Sequence, residues 1–593
     1  MKLGVLVAAY TLLRIASADW QFRSRSDLAP PRLNITIAAT KDAAPGYLFV
    51  APFAGFPDTP TAQHGPRQAG PYIFRDNGDL VWSGYGLYSI WSTNFQAGRW
   101  QGEDVLFSFE GDHNAGYGHG HGHITFMNQH YETIRELRAG NHKLVDKHEF
   151  HIVNEETGLI QIYQPVPRNL TAWGAKPEQQ WIVNAIIQEL DIATGKLLFE
   201  WASLDHVSPD EAILPINPGQ AGSGYNSSDA WDYFHINSVD KDAAGNYLIS
   251  ARDACAVHKI NGTDGSIIWR LHGTKSDFAV AKGARFCFQH HARWLAHDEG
   301  ADIEVISLYD NSAHGSEHGE GREVHTAAAS SGKILRLNTT AWTAELVQGY
   351  YPPAGLSLLS KSQGSTQVIP GGNVLVNWGS EGAVTEYTAD GRPVFHAFMD
   401  SGAQLAAGVE NYRAFRYNWT GLPAEEPAIV ALAAADGSGT AVYVSWNGDT
   451  ETVSWRFFAV AGGDAGGSSS RRVFLGEAER TGFETALFVP RSSGGGGLLL
   501  EHARGGVAPR VAAEAVDASG NVLRVTGEAR VEAEVLPLGS PASGVAALGY
   551  SGDSGGDSGQ QKTLRGNKGH AGGTSRWKEH AILRFFRLGE KDL

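Results

Sequence analysis

The sequence predicts an all-β chain built on a six-bladed β-propeller, and three observations carry that reading. Six segments share the form strand, polar or Gly-containing turn, strand: 72–84, 131–140, 189–203, 257–273, 334–350 and 384–399. Their starts lie 50 to 77 residues apart, which is room for a four-stranded blade and too much for a lone hairpin. His148, His235 and His290 each precede a glycine by ten residues (Gly158, Gly245 and Gly300), and a strand-like run follows each glycine. The 72 glycines, with 42% apolar and 19% charged residues, fit a turn-dense chain that can still bury a core. In a radial repeat the histidine-headed strand is the innermost of its blade, the six hairpins are the outer pairs, and the three imidazoles face one axis. Three hairpins carry a tryptophan near their end, Trp82, Trp201 and Trp269, and since no hairpin can bury both faces alone the blades must stack on their neighbours.

The elements follow in chain order. Residues 1–18 read as an export signal: Lys2 is the positive start, 3–15 is mostly apolar, and Ala16-Ser17-Ala18 is a small-x-small cleavage site. Residues 19–422 hold the propeller. Pro423 to Pro427 form a linker, and short strands between turns over 423–538 predict a small β-sandwich-like domain. Residues 539–593 are Gly/Ser-rich and polar, the composition of a disordered tail. Six sequons, at Asn34, Asn169, Asn226, Asn261, Asn338 and Asn418, agree with a secreted glycoprotein. Cys255 and Cys287 are the two cysteines, and an oxidising compartment favours a disulfide between them. A net charge of −16 argues against nucleic acid as a partner, and no apolar run long enough for a transmembrane anchor follows the N-terminus.

Two further histidine groups have their own expectations. On an extended strand His119, His121 and His123 of GHGHGH share one face, a spacing suited to Zn²⁺ or Cu²⁺, with Asp112 and His113 in reach. The competing reading is a Gly/aromatic channel strand whose aromatics became histidines, and it is preferred; no metal or other cofactor is assigned. His314, His318 and His325 read as a solvated loop.

Several segments together resemble the arylsulfotransferase family, in its fungal-type branch. They are YIFRDNGDLVWSG at 72–84, DKHEFHIV at 146–153, DYFHINSVDKDAAGNYLISAR at 232–252, DGSIIWRLHG at 264–273, FQHHARWL at 288–295 with YDN at 309–311, and VYVSWNGDTETVSWRFF at 442–458. The resemblance implies a six-bladed propeller that moves a sulfuryl group from an aryl sulfate to a phenol, through a histidine and without a nucleotide donor. It implies channel roles for His235 and His290, and for Arg322 as the sulfate-binding arginine after YDN; His148 joins them by spacing as well as by motif. His291 stands where the family more often has an acidic residue. The last repeat, where bacterial relatives keep the nucleophile, has no histidine over 358–370, so His235 or His290 is left for that role. A neutral imidazole is a competent nucleophile, and an arginine presents a planar fork to a sulfate. Two other readings stay open: a non-catalytic ligand-binding propeller and, less favoured, a quinoprotein-type dehydrogenase.

Overall fold

The computed structural model describes residues 20–533 except 55–67, 89–90, 114–117, 218–219, 299–301, 316–322, 400–408, 462–470 and 492–509. The export-signal residues, the tail, His318 and Arg322 lie outside the described residues. Among those described, six sheets, antiparallel except for one short edge strand, form the blades of a propeller. Blades 2 to 5 each take four strands in chain order; in blade 5 the short pair Ala313–His314 and Val324–His325 intervenes, and Ala279–Val280 adds a parallel strand on the outer edge. Their inner strands are Trp91–Trp100, Phe150–Val153, Ile236–Lys241 and His290–Asp298. Blade 6 begins with Ser365–Val368.

The ring closes in two places. Phe415–Tyr417 joins Tyr47–Val50 as the inner strand of blade 1, so the first blade mixes both ends of the propeller. Asn34–Ile37, upstream of the predicted repeats, pairs with Pro393–Phe398 on the outer edge of blade 6. Each closure covers an edge that would otherwise be free to pair with another chain.

Five of the six expected hairpins are the outer pairs of their blades. The exception is 131–140, which contains only the outermost strand of blade 2, Thr133–Leu137. Its partner is Gly122–Met127, and the turn between them places Tyr131 in the left-handed region. The Gly/His composition before Ile124 hid that strand. The marked tryptophans pack between blades. Trp82 stacks on Phe95 and Tyr131 of blade 2, Trp201 donates to the Gly265 carbonyl at 3.0 Å, and Trp269 donates to Glu304 of blade 5 at 3.1 Å. All three bury their rings, and Trp201 and Trp269 spend their polar N–H on the neighbouring blade.

Below the channel mouth the axis is tied by charge. Glu149, just before the inner strand of blade 3, accepts from Arg413 at 2.9 Å, Arg293 at 2.8 Å and the Val239 N–H at 3.0 Å. Arg413 also donates to Asn94 at 3.2 Å. Blades 1 to 5 therefore each contribute a group to one buried cluster.

The second β unit is one eight-stranded sheet with a barrel-like course. Its path runs from Arg471–Glu479 through Ser454–Ala461, Arg510–Val516, Ala529–Ala533, Ala428–Ala433 and Gly439–Ser445 to Glu484–Pro490, with Val522–Val525 beside Arg510–Val516. It docks on blade 1 through Asn447, which exchanges hydrogen bonds with the Ser83 backbone, and through Gly448. Gly448 has φ +96°, and an added Cβ would lie 2.3 Å from the Tyr131 ring, so only glycine fits this seam.

Cys255 and Cys287 form a disulfide with Cα atoms 4.5 Å apart, joining a turn of blade 4 to the approach of blade 5's inner strand. The cross-link closes a loop of 32 residues, so removing it should cost about 3–4 kcal/mol. Urea unfolding of a Cys255→Ser/Cys287→Ser variant against the oxidised protein measures this. A loss below about 1 kcal/mol would mean that the unfolded chain is not constrained as that loop length implies.

Candidate active site at the channel mouth

The propeller brings the three spaced histidines to one place because each ends the approach to an inner strand. His148 lies two residues before Phe150–Val153, His235 directly before Ile236–Lys241, and His290 opens its strand. His235 has φ +51°, and the ladders skip register between Ile236 and Ser238 and between His290 and Arg293. Such bulges re-aim side chains at the rim of a sheet.

All three rings are buried. The His148 and His235 centroids are 4.9 Å apart, edge to face. Tyr412, from the turn before blade 1's inner strand, lies 5.4 Å from His148 and 6.4 Å from His290. Tyr163 lies 5.3 Å from His235 and stacks on His119 at 4.0 Å.

Each histidine is oriented through Nδ1. His148 bonds to Asp146 and His235 to Asp232 at 2.6 Å, while His290 meets the Asn311 amide oxygen at 2.7 Å. These acceptors fix Nδ1 as the protonated nitrogen, so the Nε2 lone pair is the reactive one. The Nε2 of His290 already accepts the Gln363 N–H at 3.3 Å, whereas the hydrogen bonds of the His148 and His235 rings among the described residues are those at Nδ1. Burial, with the neighbouring His235 and Lys147, holds His148 well below the usual histidine range. Burial and Arg252 do the same to His290. Asp232 is the reverse case. Burial alone would raise its carboxyl, but His235 and His119 outweigh that and keep it ionised.

Fixed positive charge comes from two residues that sequence reasoning did not single out. Arg252 ends the 232–252 segment, and its backbone N–H donates to the His235 carbonyl at 2.9 Å. Its guanidinium reaches Asp253 at 3.3 Å and the Lys361 carbonyl at 3.0 Å, and its buried Nε has no partner. Lys147, between Asp146 and His148, is buried and donates to His113 at 2.7 Å. Asp146 and Asp232 had a visible signal: an aspartate two or three residues before a histidine at the head of an inner strand.

The remaining candidates divide. His119 turns to the site and meets Asp232 at 2.9 Å. His121 lies 3.9 Å from Asp112 and His123 lies 3.6 Å from Glu110, so the three do not share one ligand point. The strand begins only at Gly122, which breaks the expected alternation. His119, Asp232 and His235 do present ligand atoms within 4.8 Å of one another, a set that could hold a divalent metal. Their 2.6 and 2.9 Å separations are those of hydrogen bonds, and we read them so. His291 points away, its Nδ1 against the Thr366 carbonyl at 3.2 Å and its ring on Phe415. His314 is buried, unlike the solvated loop expected for it: it pairs with Val324 in the short strands Ala313–His314 and Val324–His325, and its ring packs on Phe288.

The profile of the family described as Arylsulfotransferase (ASST) matches residues 96–400, more than half of the chain. The chain belongs to the arylsulfotransferase family. No curated protein matches it. Solved structures that it resembles include a protein of unknown function from Bacteroides caccae, at 9% identity and TM-score 0.33 over 63% of this chain and 100% of that one. A protein from Lactobacillus plantarum gives 10% and 0.31 over 63% and 99%, and an inactive virginiamycin B lyase from Staphylococcus aureus gives 13% and 0.25 over 60% and 93%. Likenesses this distant carry no argument about function. In this arylsulfotransferase-family chain, Gln363 stands two residues before the inner strand of blade 6, the place that His148 takes in blade 3. Its side chain bonds to Glu410.

Proposed function

We propose that the protein is a secreted arylsulfotransferase, of the fungal-type branch, that passes a sulfuryl group from an aryl sulfate to a phenol with no nucleotide donor. The observation that carries this reading is the pair of carboxylate-oriented imidazoles, His148 and His235, together with Arg252, which is bonded through its backbone to His235 and whose buried Nε has no hydrogen-bond partner among the described residues. His235 is the nucleophile. Its Nε2 attacks sulfur in line, the S–O bond to the aryl group breaks, and the sulfated histidine then yields the group to a phenol. Arg252 holds the sulfuryl oxygens as charge spreads over them. His148 and His290, both neutral, line the pocket and bond to the sulfuryl group or the phenols. Secretion is supported by the apolar N-terminal segment, and by the six sequon asparagines, none of which is buried.

The test is turnover of 4-nitrophenyl sulfate with phenol by protein recovered from culture medium. Arg252→Lys should retain charge, lose the fork and reduce kcat/KM by about a hundredfold. Full activity in that variant would move the sulfate to another cation. Absence of turnover with any aryl sulfate would favour the second reading, a ligand-binding propeller, for which Gln363, where blade 3 has His148, is the specific support.

A further inference from the structure

We propose that His314 is the proton carrier of the reaction, taking the proton of the acceptor phenol and returning it to the aryl oxygen of the next donor. This rests on the sulfuryl-transfer reading of the site and adds a residue to it.

His314 ends the short strand Ala313–His314, three residues beyond Asn311, which orients His290. Its ring is 2% exposed, and neither ring nitrogen has a hydrogen-bond partner. Buried polar atoms in this state are rare and are found where a ligand, a water or a reaction step supplies the missing partner. Its Nε2 lies 3.9 Å from a carboxylate oxygen of Asp253, and the ring leans on Phe288 with centroids 5.1 Å apart. Both neighbours tie it to the site. Asp253 follows Arg252, which is bonded to the His235 carbonyl, and Phe288 lies two residues before His290.

Burial, then the charges of Arg252, His235 and His290, hold His314 on the neutral side, while Asp232 opposes them. Asp253 is raised by burial against the pull of Arg252. A bound aryl sulfate adds negative charge to this surrounding and favours the protonated ring.

Burial without partners is not enough by itself. His258 is also buried with both nitrogens unpaired, but it sits in the third strand of blade 4, 3.6 Å from Glu211 and against Phe234. Among the described buried histidines unpaired at both ring nitrogens, His314 is the one whose neighbours, Asp253 and Phe288, adjoin Arg252 and the approach to His290.

The proton balances over one cycle. In the acceptor step the phenol oxygen bonds to sulfur, the Nε2–S bond breaks with its electron pair returning to His235, and the phenol proton passes to His314. In the next donor step Nε2 attacks sulfur, the aryl oxygen leaves with the S–O electron pair, and it takes the proton from His314.

The experiment uses the full-length protein and a His314→Gln variant, rapidly mixed with 4-nitrophenyl sulfate and then with phenol. 4-Nitrophenolate is a weak base and leaves without proton help. The variant should therefore release a burst of one 4-nitrophenolate per chain at a rate within about threefold of the parent, while transfer to phenol falls by about a hundredfold. Equal loss in both half-reactions would assign His314 to binding or structure, and unchanged transfer to phenol would remove its role; either result overturns the proposal. His314→Asn carries the same arms if the glutamine variant does not fold. A parent protein without a burst would sink the sulfuryl-transfer reading itself, an outcome visible before any variant is compared.

Discussion

Glutamine in place of His235 should lower turnover of an aryl sulfate by at least about a thousandfold, because no other group then attacks sulfur. The glutamine amide can still donate to Asp232, so the thermal midpoint should move by only a few degrees, by about the amount expected of a conservative polar change. Asp232→Asn probes the same step from behind. Asp232 accepts from both His235 at 2.6 Å and His119 at 2.9 Å, and an asparagine no longer fixes the tautomer that leaves Nε2 as the nucleophile. A loss of about a hundredfold or more is expected, with little change in KM. If His235→Gln keeps full turnover while His148→Gln loses it, the nucleophile is the other carboxylate-oriented imidazole. Steady-state kinetics with 4-nitrophenyl sulfate and phenol decide between them.

The largest expected effect on stability is at Glu149. Its carboxylate is buried between Arg413 and Arg293, and removing it leaves two guanidinium groups in the channel floor without their counter-charge. Breaking a buried pair from one side costs about 3–5 kcal/mol, so Glu149→Ala should fall in or above that range in urea unfolding. The pH dependence has a definite sign. Burial acts to raise the Glu149 carboxyl, but Arg293 and Arg413 outweigh it and hold the folded value below the ordinary one. The stabilisation is then fully present above the unfolded value of about 4.3 and is lost as pH falls through the folded value. Glu149→Gln should flatten that acid limb relative to the parent. A variant with the same acid limb, or a loss under about 1 kcal/mol for Glu149→Ala, would show that the cluster is solvated enough to be replaceable.

The convergence of His148, His235 and His290 was legible because each stands at the head of an inner strand, with a second strand after the next turn. The outer hairpins and Trp82, Trp201 and Trp269 were legible because local periodicity sets them. What the sequence hid are relations between blades. Arg413 and Glu149 are 264 positions apart, and nothing in either segment names the other. Arg252 stood inside a motif already recognised, yet its role depends on the turn that carries its backbone N–H to the His235 carbonyl. His119, His121 and His123 were read on one strand face, but the strand starts at Gly122, so only His119 reaches Asp232. His314 looked like solvated loop because its neighbours are polar and glycine-rich. It sits in a two-residue strand pair too short to leave a pattern, with its ring on Phe288.

The central claim is that His235 carries the sulfuryl group between donor and acceptor. It is tested most directly by exposing the protein to 4-nitrophenyl sulfate without an acceptor, quenching, and sequencing its peptides by mass spectrometry. The mass of one sulfuryl group should appear on His235, and it should disappear on adding phenol. The same mass on another residue, or on none while turnover continues, would contradict the assignment.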